Sequence, residues 1–140
     1  EPLGATSEFS ACIGTVWRDE GSALAGTHGE PDLVGTGTLA ANDPVEIHLS
    51  NALENTVAYL VVGVNTVNLP FMGGTLVPAF SPPQGLLLPM TSNGNGEILF
   101  TGTWPSGMPS GSTTYFQYWI VDPAGPVGFS ASNAISGTTP

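Results

Sequence analysis

Apolar and polar positions alternate along most of the chain with a period of two. Val45, Ile47 and Leu49 alternate with Glu46 and His48, the pattern of a strand with one face buried and the other wet. Short runs of β-branched and aromatic residues follow one another with turn residues between them. They predict strands at Ser7 to Trp17, Gly35 to Leu39, Val45 to Leu49, Thr56 to Val64, Thr75 to Phe80, Gly85 to Met90, Glu97 to Thr103, Thr113 to Val121 and Val127 to Ala134. Helix is disfavoured, because Gly or Pro interrupts almost every window long enough for three turns. In the longest uninterrupted stretch, Asn51-Ala-Leu-Glu54 has the form of a capping box. The Thr56-Val-Ala-Tyr-Leu-Val-Val-Gly63 that follows is β-branched and aromatic, and argues for a strand.

Asn93-Gly-Asn-Gly96 and Asp122-Pro-Ala-Gly125 have the composition of tight hairpin turns. Pro78, Pro82, Pro83 and Pro89 confine the segment from Thr75 to Met90 to edge strands or an extended loop, because proline has no N–H to give a ladder. Eight or nine short strands at this spacing predict an all-β fold, an antiparallel β-sandwich of jelly-roll or immunoglobulin-like kind. The sandwich is expected over residues 34–140, behind an N-terminal extension at residues 1–33.

Two predicted strands are apolar on both faces. Thr56 to Val64 is one; in Thr113 to Val121, Thr114, Phe116, Tyr118 and Ile120 share one face and Thr113, Tyr115, Gln117, Trp119 and Val121 the other. One face belongs to the core. The second must be covered by a loop of the same chain or by a neighbouring molecule. In the N-terminal extension, Phe9, Ala11, Ile13 and Trp17 share one face of a strand and Glu8, Ser10, Cys12, Val16 and Arg18 the other. No hairpin partner is close, because Asp19 to Asp32 is Gly-rich and polar. The strand is either the first of the domain's own sheet or a donor, at about residues 7–18, that adds to a neighbouring subunit. In the second case Phe9, Ala11, Ile13 and Trp17, with Tyr115 and Trp119, are the candidate interface residues.

At 140 residues the chain has the length of one domain, enough to bury roughly 68–70% of its unfolded surface without a metal or a disulfide framework. One Lys or Arg against 11 Asp or Glu gives a net charge of −10, and Arg18 is the sole permanent cation. Nothing neutralises phosphates, which excludes nucleic-acid binding, attraction to anionic membranes and nucleotide chemistry. Charged residues are 9% of the chain, against about 25% in ordinary soluble domains, so the surface is built of Ser, Thr, Asn and Gly. Disorder is excluded by the 41% of hydrophobic residues in clear runs. Cys12 is alone, so it is a buried small side chain or an intermolecular link. No signal-peptide pattern opens the chain and no run of 18 apolar residues occurs. A start at Glu1 fits a mature, cleaved product, and a lysine-free, hydroxyl-rich, acidic chain is expected outside the cell. No Asn-x-Ser/Thr acceptor is present.

Candidate chemistry is sparse. Nucleophilic catalysis needs a Ser or Cys beside an oriented base, yet His28 lies in a Gly-rich loop, His48 on the polar side of a strand, and no Gly-x-Ser-x-Gly elbow exists. The carboxylates are scattered through turns, as solvated groups are. Asn93-Gly-Asn-Gly-Glu97 spaces its oxygens as calcium loops do but lacks their several Asp, and Asp19, Glu20, Glu30 and Asp32 are a second acidic neighbourhood. One Cys and two separated His do not make a zinc site. No catalytic residue, metal or cofactor is expected. Trp17, Trp104, Trp119 and Tyr115 could stack a sugar; Trp104, before Pro105 in a Gly/Ser/Pro-rich loop, is expected to be the most exposed tryptophan and is the candidate stacking residue.

From about residue 34 to 137 the motif order is Leu49-Ser-Asn51, Ala58-Tyr-Leu-Val-Val-Gly63, Gly73-Gly-Thr-Leu76, the Asn93–Gly96 turn, Tyr115-Phe-Gln117, Val121-Asp122 and Phe129-Ser-Ala-Ser-Asn133. That order resembles the uncharacterised β-sandwich modules of large secreted proteins of planctomycete-type bacteria. The resemblance implies an extracellular, non-catalytic module and carries no functional residues with it. This chain departs from those modules in lacking the cysteine pair they often show. The expectation is therefore a secreted structural subunit, a homopolymer forming an extracellular or cell-surface filament by N-terminal strand addition. The alternative is a carbohydrate-binding or adhesive module with glycans as partners.

Overall fold

A computed structural model describes residues 16–79 and 86–140, and it is all β, with antiparallel strands and no helix among those residues. Eleven strands follow in chain order: β1 (Trp17–Gly21), β2 (Asp32–Thr36), β3 (Pro44–Ser50), β4 (Val57–Gly63), β5 (Thr66–Phe71), β6 (Gly74–Pro78), β7 (Leu86–Thr91), β8 (Ile98–Thr103), β9 (Thr113–Val121), β10 (Phe129–Ala131) and β11 (Ala134–Thr138). They form an open six-stranded sheet in the order β1-β11-β9-β4-β7, with β10 also on β9, an open three-stranded sheet β2-β3-β8, and a hairpin β5-β6.

One core cluster takes side chains from both of the larger sheets. Alternation in β3 buries Val45, Ile47 and Leu49 and exposes Glu46 and His48, and Leu33 of β2 and Ile98 of β8 join them from the same side. Ala58 and Leu60 of β4, Phe116, Tyr118 and Ile120 of β9 and Ile135 of β11 come from the opposite sheet. Tyr118 is fully buried and directs its hydroxyl to Met90 Sδ at 3.2 Å; burial pushes its pKa up to about 12. On the outer side of the three-stranded sheet Val34, His48 and Leu99 lie in register and exposed.

Trp17 enters this core from the sheet edge. Its ring tilts against Phe116 with centroids 5.9 Å apart, and its Nε1 donates to Gly37 O at 3.0 Å. Gly35 and Gly137 make room for it, because a Cβ on either would strike the indole, at 2.4 Å and 3.1 Å. A buried amide pins the sheets together: Asn133 Oδ1 accepts from Leu33 N at 2.7 Å, and Asn133 Nδ2 donates to Leu33 O at 3.1 Å.

Several sequence expectations are corrected. Of the predicted strand Val127 to Ala134 only β10 forms, and a separate strand β11 starts at its last residue and runs on to Thr138, the register on β9 slipping by one residue between the two. β5, with Asn68 at φ 49 and Pro70 in its run, has no strand-like alternation and was not anticipated. The count is therefore eleven among the described residues rather than eight or nine. The Asp122–Gly125 turn joins β9 to β10 as a hairpin, Gly125 N donating to Asp122 O at 3.0 Å. The Asn93–Gly96 turn is tight, with Gly96 N on Asn93 O at 3.1 Å, but it carries the chain from the six-stranded to the three-stranded sheet instead of closing a hairpin. The boundary expected after residue 33 falls inside β2, and β1 belongs to the six-stranded sheet. Of the predicted strand Ser7 to Trp17, residues 7–15 lie outside the described residues.

Leu60 is fully buried at the centre of the common core. Leu60→Ala is expected to lower the unfolding free energy by about 2–5 kcal/mol, measured by urea denaturation against the parent chain.

Candidate docking groove

The second apolar face of β9 and β4 points away from the common core. On it, Trp119 stands opposite Tyr59 and Gln117 opposite Val61, and these positions need a cover. Hairpin β5–β6 supplies part of it. Phe71 meets Trp119 edge-on with centroids 5.0 Å apart and planes at 88°, and Val61, Trp119 and Ala131 form a second buried cluster against which Leu24, Leu76 and Phe129 pack.

Gln117, fully buried, fixes the hairpin in place. Its Oε1 accepts from Val77 N at 3.0 Å and from Trp119 Nε1 at 3.2 Å. Its Nε2 donates to Thr75 O at 3.1 Å and to Ser132 O at 3.2 Å. Both acceptor sites and both donors of the amide are thus used, and β6 is held over β9 although the two strands share no ladder.

Beside the hairpin lies a groove of about 360 Å³, lined by Tyr59, Val61, Phe71, Leu76, Leu87, Trp119 and Phe129. Its size is at the lower end of ligand-sized clefts, about 300–1,000 Å³. The Trp119 N–H is already committed to Gln117, so the Tyr59 hydroxyl is the one side-chain hydrogen-bonding group in the lining. Leu87 stands 46% exposed on β7, which among the described residues pairs with β4 alone and so presents an open edge. Leu69, Phe71 and Met72 are exposed on and beside the hairpin.

Of the residues expected at an interface, Trp119 lies on the groove floor and is only 2% exposed. Tyr115 is half-buried on the same side of β9, outside the groove lining. Trp17 is engaged inside its own chain, as described above. Phe9, Ala11 and Ile13 lie outside the described residues. Trp104, expected to be the most exposed tryptophan, is instead 7% exposed, packed in the common core with its Nε1 donating to Thr139 Oγ1 at 3.2 Å; backbone bonds with Asn42 and Asp43 fold its loop inward. Tyr59, Val61, Phe71, Leu76, Leu87 and Phe129 were missed as site residues. Their signal was the doubly apolar β9, which demanded a cover without naming it.

The acidic residues are engaged singly. Asp122 is 1% exposed; Thr27 N and Ala124 N donate to it at 2.8 Å and 2.9 Å, and Thr27 Oγ1 at 2.7 Å. Burial acts to raise its carboxyl pKa, and these hydrogen bonds with the nearby His28 outweigh it, so the group sits below the ordinary Asp value. His28 Nε2 meets Glu54 Oε2 at 2.8 Å on the surface, and this contact, with Glu54's own backbone N–H, lowers the Glu54 carboxyl. Glu20 accepts from Ser136 Oγ at 2.7 Å and Asp19 from Gly21 N at 2.8 Å. Among the described residues no group of three or more His, Cys, Asp or Glu converges as a metal site would require. Comparison with known protein families, with curated proteins and with solved structures finds no match.

Two outcomes follow from these pins. Gln117→Ala strands the Val77 and Trp119 N–H groups at a cost of about 1–3 kcal/mol, and is expected to loosen the hairpin, read as faster amide exchange over 66–78 than over β3. Because the folded Asp122 pKa is depressed, its contribution is present above the unfolded value and is lost as pH falls through the folded one. Stability measured by urea denaturation should therefore drop below about pH 4, and less steeply in Asp122→Asn, which starts lower at neutral pH.

Proposed function

We propose that the chain is a secreted, non-catalytic β-sandwich subunit, of jelly-roll or immunoglobulin-like kind, that assembles into an extracellular or cell-surface filament. In this assembly the groove of one copy takes the N-terminal segment of the next. The core shared by the six-stranded and three-stranded sheets favours the sandwich. The acidic, lysine-free composition and the resemblance to secreted bacterial modules favour the compartment.

The observation that carries the assembly is the apolar groove beside the open edge of β7. Fifteen residues precede Val16, and among them Phe9, Ala11 and Ile13 alternate as groove-filling side chains do. Val16 is anchored beside Thr138, its O accepting from Thr138 N at 2.8 Å. The donor segment thus leaves from the β1 edge of the sheet while the groove lies toward the β7 edge, the opposite one. A contact between two different surfaces of this kind need not close, and open filaments result. Burial of Phe9 and Ile13 contributes roughly 1.5–3 kcal/mol each. Pro89 withholds one N–H from any strand added to β7, so side chains carry more of the affinity than the ladder does. The β1 edge is guarded by Arg18, Asp19 and Glu20 and by a bulge between Asp19 and Gly21.

Trp104, the candidate stacking residue, is buried, which counts against a sugar stacked on its ring. Leu87→Glu places a charge at the groove rim on an exposed residue, and deletion of residues 1–15 removes the donor while leaving Val16, Trp17 and β1 intact. Each change is expected to yield monomers by light scattering with an unchanged far-ultraviolet spectrum. Assemblies of parental size from either variant, or an intact chain that is itself monomeric, would refute the arrangement.

A further inference from the structure

Two Asn-Gly pairs, Asn93-Gly94 and Asn95-Gly96, sit in one exposed turn, and the fold treats them differently. Asn93 Oδ1 accepts two backbone bonds, from Asn95 N at 2.8 Å and Glu97 N at 3.0 Å. Among the described residues neither its Nδ2 nor the Gly94 N–H has a hydrogen-bond partner, and Asn93 and Gly94 are both exposed. Gly96 is buried, and its N–H is committed to Asn93 O at 3.1 Å. Its backbone, at φ +71, is held so close to Ala52 that a Cβ would lie 2.0 Å from Ala52 O.

We infer that Asn93 is a site of spontaneous deamidation through a cyclic imide, and that the fold protects Asn95. The Gly94 nitrogen gives its proton to water and attacks Asn93 Cγ; the Cγ–Nδ2 bond breaks and ammonia leaves with a proton from water. Water then opens the five-membered imide at either carbonyl, leaving aspartate or a β-linked isoaspartate at position 93. One water is consumed, one ammonia is released, and nothing is oxidised or reduced. The two N–H groups on Oδ1 stabilise the oxygen on which negative charge develops, as an oxyanion hole does. The same attack at Asn95 needs the Gly96 nitrogen, which would have to abandon its acceptor and rotate within a fixed, buried backbone. Glycine at 94 offers no Cβ to obstruct the attack.

The isoaspartyl product lengthens the main chain by one methylene inside a turn that also holds the loop before β4, where Asn55 N donates to Asn93 O at 3.1 Å and Ala52 N to Gly96 O at 3.1 Å. Deamidation at 93 is therefore a chemical clock set at one passage between the sheets, and it is independent of filament assembly.

The test is incubation of the full chain at mildly alkaline pH, folded or in urea, followed by peptide mass mapping with fragmentation that separates aspartate from isoaspartate. In the folded protein conversion at 93 is expected to exceed that at 95 severalfold, while in urea the two are comparable. Gly94→Ala is tolerated by the fold, because its Cβ meets nothing within 4 Å, and it is expected to slow conversion at 93 severalfold. Equal or faster conversion at 95 in the folded chain, no conversion at 93 where the unfolded chain reacts, or an unchanged rate in Gly94→Ala would each overturn the inference.

Discussion

A central strand with two apolar faces has to be covered twice, and the architecture follows from that requirement. β9 pairs with β4 on one side and with β11 and β10 on the other. Its Phe116, Tyr118 and Ile120 face the three-stranded sheet, and its Gln117 and Trp119 face outward under hairpin β5–β6. Burying one face costs nothing unusual, since nonpolar area is simply removed from water. Burying the second requires a separate cover, and a hairpin that shares no ladder with the sheet must be attached by side chains. Gln117 supplies that attachment with all of its hydrogen-bonding capacity.

With so few charged residues, the fold is tied by neutral hydrogen bonds at buried points. Asn133 joins β2 to the β10–β11 junction, and Ser92 Oγ accepts from Thr56 N and donates to Leu53 O. Asp122, the one buried carboxylate among the described residues, is held by Thr27 and Ala124. Such bonds are worth little net, but a partner lost from one of them leaves an unsatisfied group in the interior at greater cost. The surface left over is polar without being charged, so an exposed apolar groove is poorly shielded by flanking charge, which is the setting in which strand or segment addition occurs.

The all-β class and the central strands were legible because their signal is local. β9 agrees with expectation at both ends, and β3 and β4 agree within a residue, since Val45 to Leu49 alternates and Thr56 to Val64 is too β-branched for helix. Partners were not legible. The Asn93–Gly96 composition announces a tight turn but not whether the next strand returns to the same sheet, which depends on where β3 and β4 lie. Trp104 misled because its Gly/Ser/Pro-rich neighbourhood looks like an exposed loop, while the long-range contact with Thr139 that buries it is invisible in a local window. Trp17 was read as an interface residue of a donor strand; the glycines 35 and 137 that make room for it inside its own chain are distant in sequence. The groove itself was half legible, as an uncovered face on β9; that Leu76, Leu87 and Phe129 of other predicted strands would line it, with Phe71 of the unanticipated β5, depends on pairing a local window does not show.

Self-assembly is the central claim about what this chain does, and electron microscopy of the intact native protein, with light scattering on the same preparation, addresses it most directly. The account predicts regular, unbranched filaments with a subunit mass of 14.3 kDa. A monodisperse species of that same mass at every concentration, with no filaments in the micrographs, would contradict it.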